Sequence, residues 1–152
     1  MKRNNEDDRL IYQIFMAQQR LRTYIAGVLT KAGAKVTLVQ AGILFLLEKE
    51  DGQTMTVLSQ ALAVENPTLT GLIDRLEKAG LVRRQASPKD RRAIKIYLTP
   101  GGLEEAKKVK PLIRKINQEI KSEFSSEGLI QFQGVLKGLA RKFEKPGKGE
   151  RA

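Results

Sequence analysis

The feature that most constrains the fold of this chain is a change of hydrophobic period at Gly80. Before this glycine, the apolar side chains of residues 69–76 recur at the spacing of one helix face. After it, apolar and polar residues alternate, as in Ile94, Ile96 and Leu98, which is the pattern of a half-buried strand. The chain is therefore predicted to leave a helix and enter a β-hairpin within a few residues.

Two short helices are predicted before the period changes. The first covers residues 56–62, with Thr56 as the N-cap that satisfies a backbone N–H group of the first turn. The second covers residues 66–79, with Asn66 as its cap and Pro67 in its first turn. Two short helices joined by a tight turn predict a helix-turn-helix.

A hairpin with a basic tip is predicted next. Its strands cover residues 81–85 and 94–98, and the connection over residues 86–92 is polar and rich in turn-forming residues. Residues 82–95 carry six Lys or Arg side chains against Asp90 alone, a net charge of +5. The whole chain has 28 Lys and Arg against 17 Asp and Glu, a net charge of +11, so almost half of the excess lies on this hairpin.

Long helices are predicted on both sides of this segment. Apolar stripes at helical spacing predict helices over residues 8–31, 100–124 and 126–143. A capping box at residues 37–40 starts a further helix that ends near Lys49. We predict a single domain over residues 1–152, whose parts are a central lobe at 36–99, flanking helices at 8–32 and 100–144, and a flexible tail at 145–152.

This order of elements predicts a winged helix-turn-helix, which is a mainly α fold with a small β-hairpin wing (α+β) and flanking N- and C-terminal helices. The fold suits duplex DNA, because the major groove accepts one helix while the hairpin follows the backbone and reaches the minor groove. The second helix of the pair is then the recognition helix. Its outward residues are Asn66, Thr68, Thr70, Gly71, Asp74 and Arg75. Two alternatives remain open at this point: solvated positions of an ordinary globular domain, and a winged helix that contacts proteins.

Several functions are excluded by what the sequence lacks. Without Cys or His, the chain can form no disulfide, thiol switch, Fe–S cluster, zinc site or His-dependent triad. It has no Gly-rich phosphate loop, nucleophile elbow or suitably spaced carboxylate pair, so we expect no enzyme and no cofactor. The longest apolar run, residues 41–47, is too short to span a bilayer, and residues 1–8 contain no secretory signal. We expect a soluble cytoplasmic protein that associates with the nucleoid.

Five stretches of the sequence carry a resemblance to a known family. They are LSQALAV at 58–64, PTLT at 67–70, LIDRLEKAGLV at 72–82, DRR at 90–92 and LTPGG at 98–102. These stretches resemble the MarR family of bacterial and archaeal transcription regulators. The resemblance is dense over residues 36–102 and elsewhere depends on the order of the helices. Its most specific part is the acidic residue followed by arginine before the second strand, together with the Leu-Thr-x-x-Gly exit.

The resemblance implies a homodimer in which the N- and C-terminal helices intertwine and two winged domains occupy successive turns of a palindromic operator. It assigns Asp90 and Arg92 to the DNA backbone and the minor groove, and Asp74 to bracing the wing through an arginine. Together with the basic hairpin and the recognition helix, this gives the expected DNA-binding residues: Thr56, Ser59, Asn66, Pro67, Thr68, Thr70, Gly71, Arg75, Arg83, Arg84, Lys89, Asp90, Arg91 and Arg92.

Two residues depart from the usual pattern of the family. Glu65 replaces a frequent serine and brings a negative charge near the phosphates, although a carboxylate there also favours the helix N-terminus. Gly71 replaces a frequent Arg or Lys, costs about 1 kcal/mol of helix propensity and removes a base or phosphate contact. The operator sequences of relatives therefore do not transfer to this chain.

Apolar stripes on the flanking helices predict a buried surface. One interpretation is that they pack onto the core of their own chain. The other, which we favour and which the resemblance also implies, is that they form the interface of an intertwined dimer. The expected interface residues are Leu10, Ile14, Ile113, Ile116, Ile120, Phe124, Leu129, Phe132, Leu136 and Leu139.

The resemblance also implies a cleft for small phenolic or other anionic effectors between the dimerisation helices and the DNA-binding lobe. The residues expected to line it are Tyr12, Phe15, Met16, Gln19 and Tyr24. Core packing is the more usual role of apolar residues at this spacing. Because metal and thiol sensing are excluded, the effector is expected to bind non-covalently and without a metal.

The leading functional hypothesis is a homodimeric, sequence-specific repressor of palindromic operators that an aromatic or anionic ligand releases from double-stranded DNA. The alternative is an effector-independent winged-helix protein with an architectural role or a partner in the transcription machinery. An enzyme is the third hypothesis, and no motif supports it.

Overall fold

Six helices and three short strands make up residues 9–145, the part of the chain that the computed structural model describes. In chain order they are α1 (Leu10–Lys31), α2 (Leu38–Lys49), β1 (Gln53–Thr54), α3 (Met55–Leu62), α4 (Asn66–Lys78), β2 (Val82–Ala86), β3 (Ile94–Leu98), α5 (Pro100–Ser122) and α6 (Ser126–Lys142). The predicted mainly helical fold with a small hairpin wing is confirmed. The chain divides into two compact units, one up to Ile113 and one from Arg114 onward, so that α5 contributes to both.

Side-chain caps fix the starts of three helices, and the first of these caps is the predicted one. The Thr37–Gln40 capping box is complete, because Thr37 N donates to Gln40 Oε1 at 2.9 Å and Gln40 N donates to Thr37 Oγ1 at 3.4 Å. Thr99 Oγ1 accepts from Gly102 N at 3.0 Å at the start of α5. Ser125 Oγ accepts from Gly128 N at 3.1 Å at the start of α6.

The caps of the two helix-turn-helix helices were predicted at the wrong residues. Thr54, not Thr56, caps α3, because Thr54 Oγ1 accepts from Val57 N at 3.3 Å and Thr56 already lies inside the first turn. The N-cap of α4 is Glu65 and not Asn66, because the Glu65 carbonyl already accepts the first helical hydrogen bond, from Leu69 N at 3.0 Å. A polar residue suited to capping is not enough to locate a helix start when its neighbour is equally suited.

A third strand joins the hairpin, which the sequence did not reveal. The two residues of β1 pair antiparallel with β3, giving the strand order β1-β3-β2. Asp51, in the turn before β1, extends this edge because its Oδ1 accepts from Leu98 N at 2.8 Å. A two-residue strand is too short to show alternation, so hydrophobic pattern could not predict it. Through this pairing, β1 connects the strands of the hairpin, which we call the wing stem, to the start of the helix-turn-helix.

The hydrophobic core fixes which face of α4 points outward. Fully buried side chains come from α2, α3, α4, the sheet and the first half of α5, and the largest of them are Ile43, Leu44, Leu47, Leu58, Leu69, Ile73, Leu76, Ile96, Val82 and Val109. Burying each contributes about 1.5–3 kcal/mol. Because α4 places Leu69, Ile73 and Leu76 in this core, its opposite face is held toward solvent.

The helix-to-wing junction is tight. The predicted stop at Gly80 is confirmed, since Gly80 has a φ of +73° and the helix ends with bonds from Gly80 N to Glu77 O and from Leu81 N to Leu76 O. Just beyond the wing, α5 starts so close to this turn that a Cβ at Gly102 would overlap the carbonyl oxygen of Leu81. The first turn of α5 therefore fits against the junction only because residue 102 is glycine.

We predict that Gly102→Ala lowers the free energy of unfolding by about 3 kcal/mol, because the added methyl group has backbone on one side and cannot displace it. The matched control is Gly101→Ala, whose Cβ would lie 3.5 Å from the Gly80 carbonyl oxygen, an ordinary contact. Urea denaturation of the two variants measures the difference. Equal stability of the two variants would contradict the close approach at Gly102.

Candidate nucleic-acid interface

The outward face of α4 is small and polar. Thr68, Thr70, Asp74 and Arg75 are exposed, and Gly71 is half-buried. All of these residues were predicted on this face from the helical period, and the structure places them there. The face is smooth enough to approach another surface closely, since its only long side chain among these five residues is Arg75.

Three side chains join α4 to the wing. The guanidinium of Arg84, on β2, contacts Asp74 Oδ1 at 2.5 Å through Nη2 and Glu77 Oε1 at 3.0 Å through Nη1. The other oxygen of Glu77 accepts from the backbone N of Arg84 at 3.1 Å. We call Asp74, Glu77 and Arg84 the wing brace. It ties one turn of the helix to one residue of the strand through both side chain and backbone.

The wing brace changes the interpretation of Arg84. Burial lowers the pKa of this guanidinium, but the hydrogen bonds that it donates to Asp74 and Glu77 and the negative charges of these carboxylates raise it by more, so the pKa lies above its ordinary value. Its charge is already matched by two carboxylates within the chain. Arg84, which sequence reasoning placed among the DNA-binding residues, is therefore positioned to hold the wing.

Arg83, the neighbouring residue on β2, is held differently. Its guanidinium lies 4.6 Å from the centroid of the Tyr97 ring, directly across the hairpin, and its Nη1 donates to Gln85 Oε1 at 2.6 Å. Stacking on an aromatic face restricts a long side chain without neutralising it. Arg83 thus presents an oriented positive charge on the wing stem.

The wing tip is closed by backbone bonds and by Asp90. Ser87 N donates to Ala93 O at 2.8 Å, and Ala93 N donates to Asp90 O at 3.1 Å. Asp90 Oδ1 accepts from Arg92 N at 2.9 Å, which is the bond of an Asx-turn. Asp90 therefore shapes the tip, while the side chains that the tip exposes are Lys89, Arg91 and Arg92.

Three of the other predicted DNA-binding residues, Thr56, Asn66 and Pro67, lie at the starts of the two helices, whereas Ser59 is half-buried in the middle of α3. Thr56 is exposed in the first turn of α3, and its carbonyl accepts from Ser59 Oγ at 3.0 Å. Asn66 and Pro67 are exposed as the first two residues of α4. Thr56, Asn66 and Pro67 are therefore accessible from solvent, as a contact with DNA requires.

The predicted effector-binding residues all lie on α1. Tyr12, Phe15, Gln19 and Tyr24 are exposed and Met16 is half-buried, so packing in the core of this chain is the wrong interpretation for the aromatic ones. Two of the five predicted residues line a shallow depression of about 360 Å³, whose lining is Gln19, Arg20, Thr23 and Tyr24.

The predicted interface residues of the flanking helices are mostly not buried within the chain. Leu10, Ile14, Phe124, Phe132 and Leu136 are exposed. Four more are half-buried, namely Ile113, Ile120, Leu129 and Leu139, and Ile116 is buried. Of the ten predicted residues, Ile116 alone is buried within this chain, and most of the stripe is left uncovered.

Neither a metal site nor a membrane span is found in the described part of the chain. Residues 9–145 contain no cluster of three or more Asp or Glu side chains that could hold a metal ion. None of their helices is both long enough and apolar enough to cross a membrane.

A helix-turn-helix braced against a basic three-stranded wing defines a winged helix-turn-helix protein. The model of the MarR family matches residues 36–94, which span α2, α3, α4, β2 and the start of β3. Over these residues the chain is similar to the MarR family of transcription regulators.

Known relatives agree with this family. A curated protein of Thauera aromatica, whose name links it to transcriptional regulation of the hcr operon, is 26% identical over 100 residues, or 66% of this chain. The matched part is 60% of that protein's length, so the chain matches well under two thirds of it. The transcriptional regulator BldR from Sulfolobus solfataricus is 26% identical, with a TM-score of 0.76 over 93% of this chain and 99% of that one.

Two further solved structures share the fold and contain DNA. The MepR-DNA complex of S. aureus is 23% identical, with a TM-score of 0.81 over 88% of this chain and 98% of that one. The transcriptional repressor CouR bound to a 23-mer duplex is also 23% identical, with a TM-score of 0.80 over 92% of this chain and 98% of that one. At these identities the likeness shows the fold.

Sequence reasoning missed two residues that shape the site. Glu77 lies three residues after Asp74, on the same side of α4, and this spacing was a usable signal for a paired brace. Tyr97 lies opposite Arg83 in any hairpin that pairs residues 82 and 98, so the stacking contact could also have been predicted.

We predict that the double variant Asp74→Asn with Glu77→Gln lowers the free energy of unfolding by about 1 kcal/mol at low salt, because both carboxylates are partly exposed and such pairs are weak. The loss should shrink at about 1 M salt, where screening removes the ion-pair contribution. Urea denaturation at both salt concentrations measures it. The control is Glu104→Gln, since Glu104 is an exposed carboxylate with no ion pair to another residue of the described range. A double variant as stable as the wild type at low salt would contradict a stabilising contribution from the wing brace.

Proposed function

We propose that this protein is a homodimeric, sequence-specific regulator that binds double-stranded DNA at palindromic operators and acts as a repressor. The observation that carries the proposal is the wing brace, which holds a small polar helix face and a basic hairpin in one fixed arrangement. Such an arrangement suits duplex DNA, because the helix can enter a groove while the basic hairpin contacts the charged backbone beside it.

The proposed contacts follow from exposure and charge. In the major groove, α4 presents Thr68, Thr70, Gly71 and Arg75 to base edges. The wing tip offers Lys89, Arg91 and Arg92 to the phosphates and to the minor groove. Arg83, oriented by Tyr97, supplies a further phosphate contact on the stem.

Exposed apolar side chains support a dimer. On α1, Ile11 is 86% exposed, and on α6, Ile130 and Phe143 are 70% and 72% exposed. An amphipathic helix with its apolar face in water is stable only marginally, and exposed apolar surface of this extent marks an interface. A second copy of the chain is the proposed partner, and its winged lobe would occupy the next turn of the same DNA face.

Release by a small anionic effector is the proposed means of control. The lining of the depression on α1 includes the cation of Arg20 and the aromatic ring of Tyr24, a combination that suits an aromatic anion. It is lined by a single helix, so a dimer partner would have to complete it. An effector that fits only one separation of the two recognition helices would shift the dimer away from the DNA-binding arrangement.

DNA-bound relatives with this fold support the proposal. One solved neighbour is a MepR-DNA complex, and another is the repressor CouR on a DNA duplex. A protein that works at operators acts where the DNA is, and we place this one in the cytoplasm on that ground.

Selection from random duplexes tests the proposed function. The purified full chain should enrich an inverted repeat whose half-sites lie roughly one helical turn apart, because two recognition helices must enter successive major grooves on one face. Sequencing of the bound pool after several rounds is the measurement. A pool without a palindrome, and an affinity that depends on salt alone, would leave only non-specific binding and defeat the proposal.

Two arginine variants, measured on the enriched duplex, test the contact between the wing and DNA, one as the test variant and the other as its control. Arg92→Ala should weaken binding and reduce the slope of log affinity against log salt by about one for each copy of the chain. Arg114→Ala removes the same charge from an exposed position of α5 and should leave the slope unchanged. If both variants gave the same slope of log affinity against log salt, the proposed contact between the wing tip and DNA would be wrong.

A further inference from the structure

Gly71 occupies the middle of the outward face of α4. The residues that α4 buries are Leu69, Ile73 and Leu76, and a helix that turns about 100° per residue puts residue 71 on the opposite side. Pro67 lies one turn before it on the same side. The centre of the outward face of α4, which is the face proposed to read DNA, therefore consists of Pro67, which has no N–H donor, and Gly71, which has no side chain.

Nothing inside the chain requires glycine at this position. A Cβ built on Gly71 meets no heavy atom within 4 Å. Its backbone is not among the positive-φ positions, which are Ala63, Gly33, Gly52 and Gly80 in the described range. Alanine would be the better helix former. The reason for glycine must be sought outside the chain, in whatever this face approaches.

The neighbouring Thr70 projects about 100° further round the helix and borders this position. Its Oγ1 donates to the Asn66 carbonyl oxygen at 3.0 Å, so its hydroxyl proton is already used inside the helix. The side chain is nevertheless exposed. Gly71 itself leaves an open apolar step on the helix surface, next to the polar side chains of Thr68 and Arg75.

We propose that this step determines operator specificity by receiving the C5-methyl group of one thymine in each half-site. Thymine methyl is the only apolar group among the base edges of the major groove, and it is read by apolar contact and not by a hydrogen bond. The absence of a side chain at Gly71 leaves the space that the methyl group fills. This inference rests on the proposed DNA-binding function.

Replacement of thymine by uracil in the enriched duplex tests the contact, because uracil lacks only the methyl group. Wild-type protein should lose affinity about fourfold for each methyl group removed at one symmetric position, and remain unaffected at thymines outside the contact. A palindrome in which every thymine can become uracil without loss would overturn the inference and leave the proposed function intact. Failure to enrich any palindrome would instead overturn the proposed function, and the inference with it.

Gly71→Ala supplies the complementary measurement. On the thymine duplex, the variant should bind about tenfold more weakly than wild type, because its methyl group takes the space of the base methyl. On the duplex with uracil at the contact position, the difference should shrink to about threefold or less. An equal loss on both duplexes, or no loss on either, would overturn the inference.

Two controls separate recognition from folding. Gly71→Ala should melt at or above the wild-type temperature, since alanine favours the helix and meets no neighbour. Gly27→Ala makes the same change on α1, where a Cβ also meets nothing within 4 Å, and should bind both duplexes as the wild type does. A Gly27→Ala variant that reproduced the tenfold loss would show a general effect of the substitution and overturn the inference.

Discussion

The contact of Arg84 with Asp74 and Glu77 is the interaction on which the site depends. It joins the helix proposed to enter a groove to the hairpin proposed to follow the backbone, and it does so through side-chain and backbone bonds. Partly exposed ion pairs contribute little free energy. Their importance here is geometric, because a rigid separation between helix and wing lets both contact one duplex with a smaller loss of conformational entropy on binding.

The wing brace also changes the meaning of the chain's positive charge. Part of the positive charge of the hairpin is used inside the chain, since Arg84 is matched by two carboxylates. The Asp90 carboxylate accepts a backbone hydrogen bond that shapes the tip. Lys89, Arg91 and Arg92 remain exposed at the tip, beside the oriented Arg83. In the proposed dimer, these few placed cations would account for DNA affinity better than the net charge of the whole chain would.

Local patterns predicted most of the fold, because period, caps and turn residues act within a few positions. The capping box at Thr37, the stop at Gly80 and the change from helix to hairpin are of this kind. The wrong or missing predictions concern residues that compete for one role, a strand too short to show a pattern, and contacts between residues far apart in the sequence. Thr54 competes with Thr56 for one cap, β1 is too short to alternate, and Gly102 approaches Leu81 across twenty-one residues. The partner of Asp74 needed the position of β2 relative to α4, which no local pattern contains.

In the proposed arrangement, two copies of the chain bind one inverted repeat. This arrangement would give a role to the exposed apolar helices, to the braced wing and to the small polar face of α4. The mass of the complex between the full chain and one enriched duplex, measured by analytical ultracentrifugation at saturating protein, tests it most directly. Two chains per duplex, bound together in a single cooperative step, is the expected result. One chain per duplex, or progressive coating without a fixed stoichiometry, would contradict it.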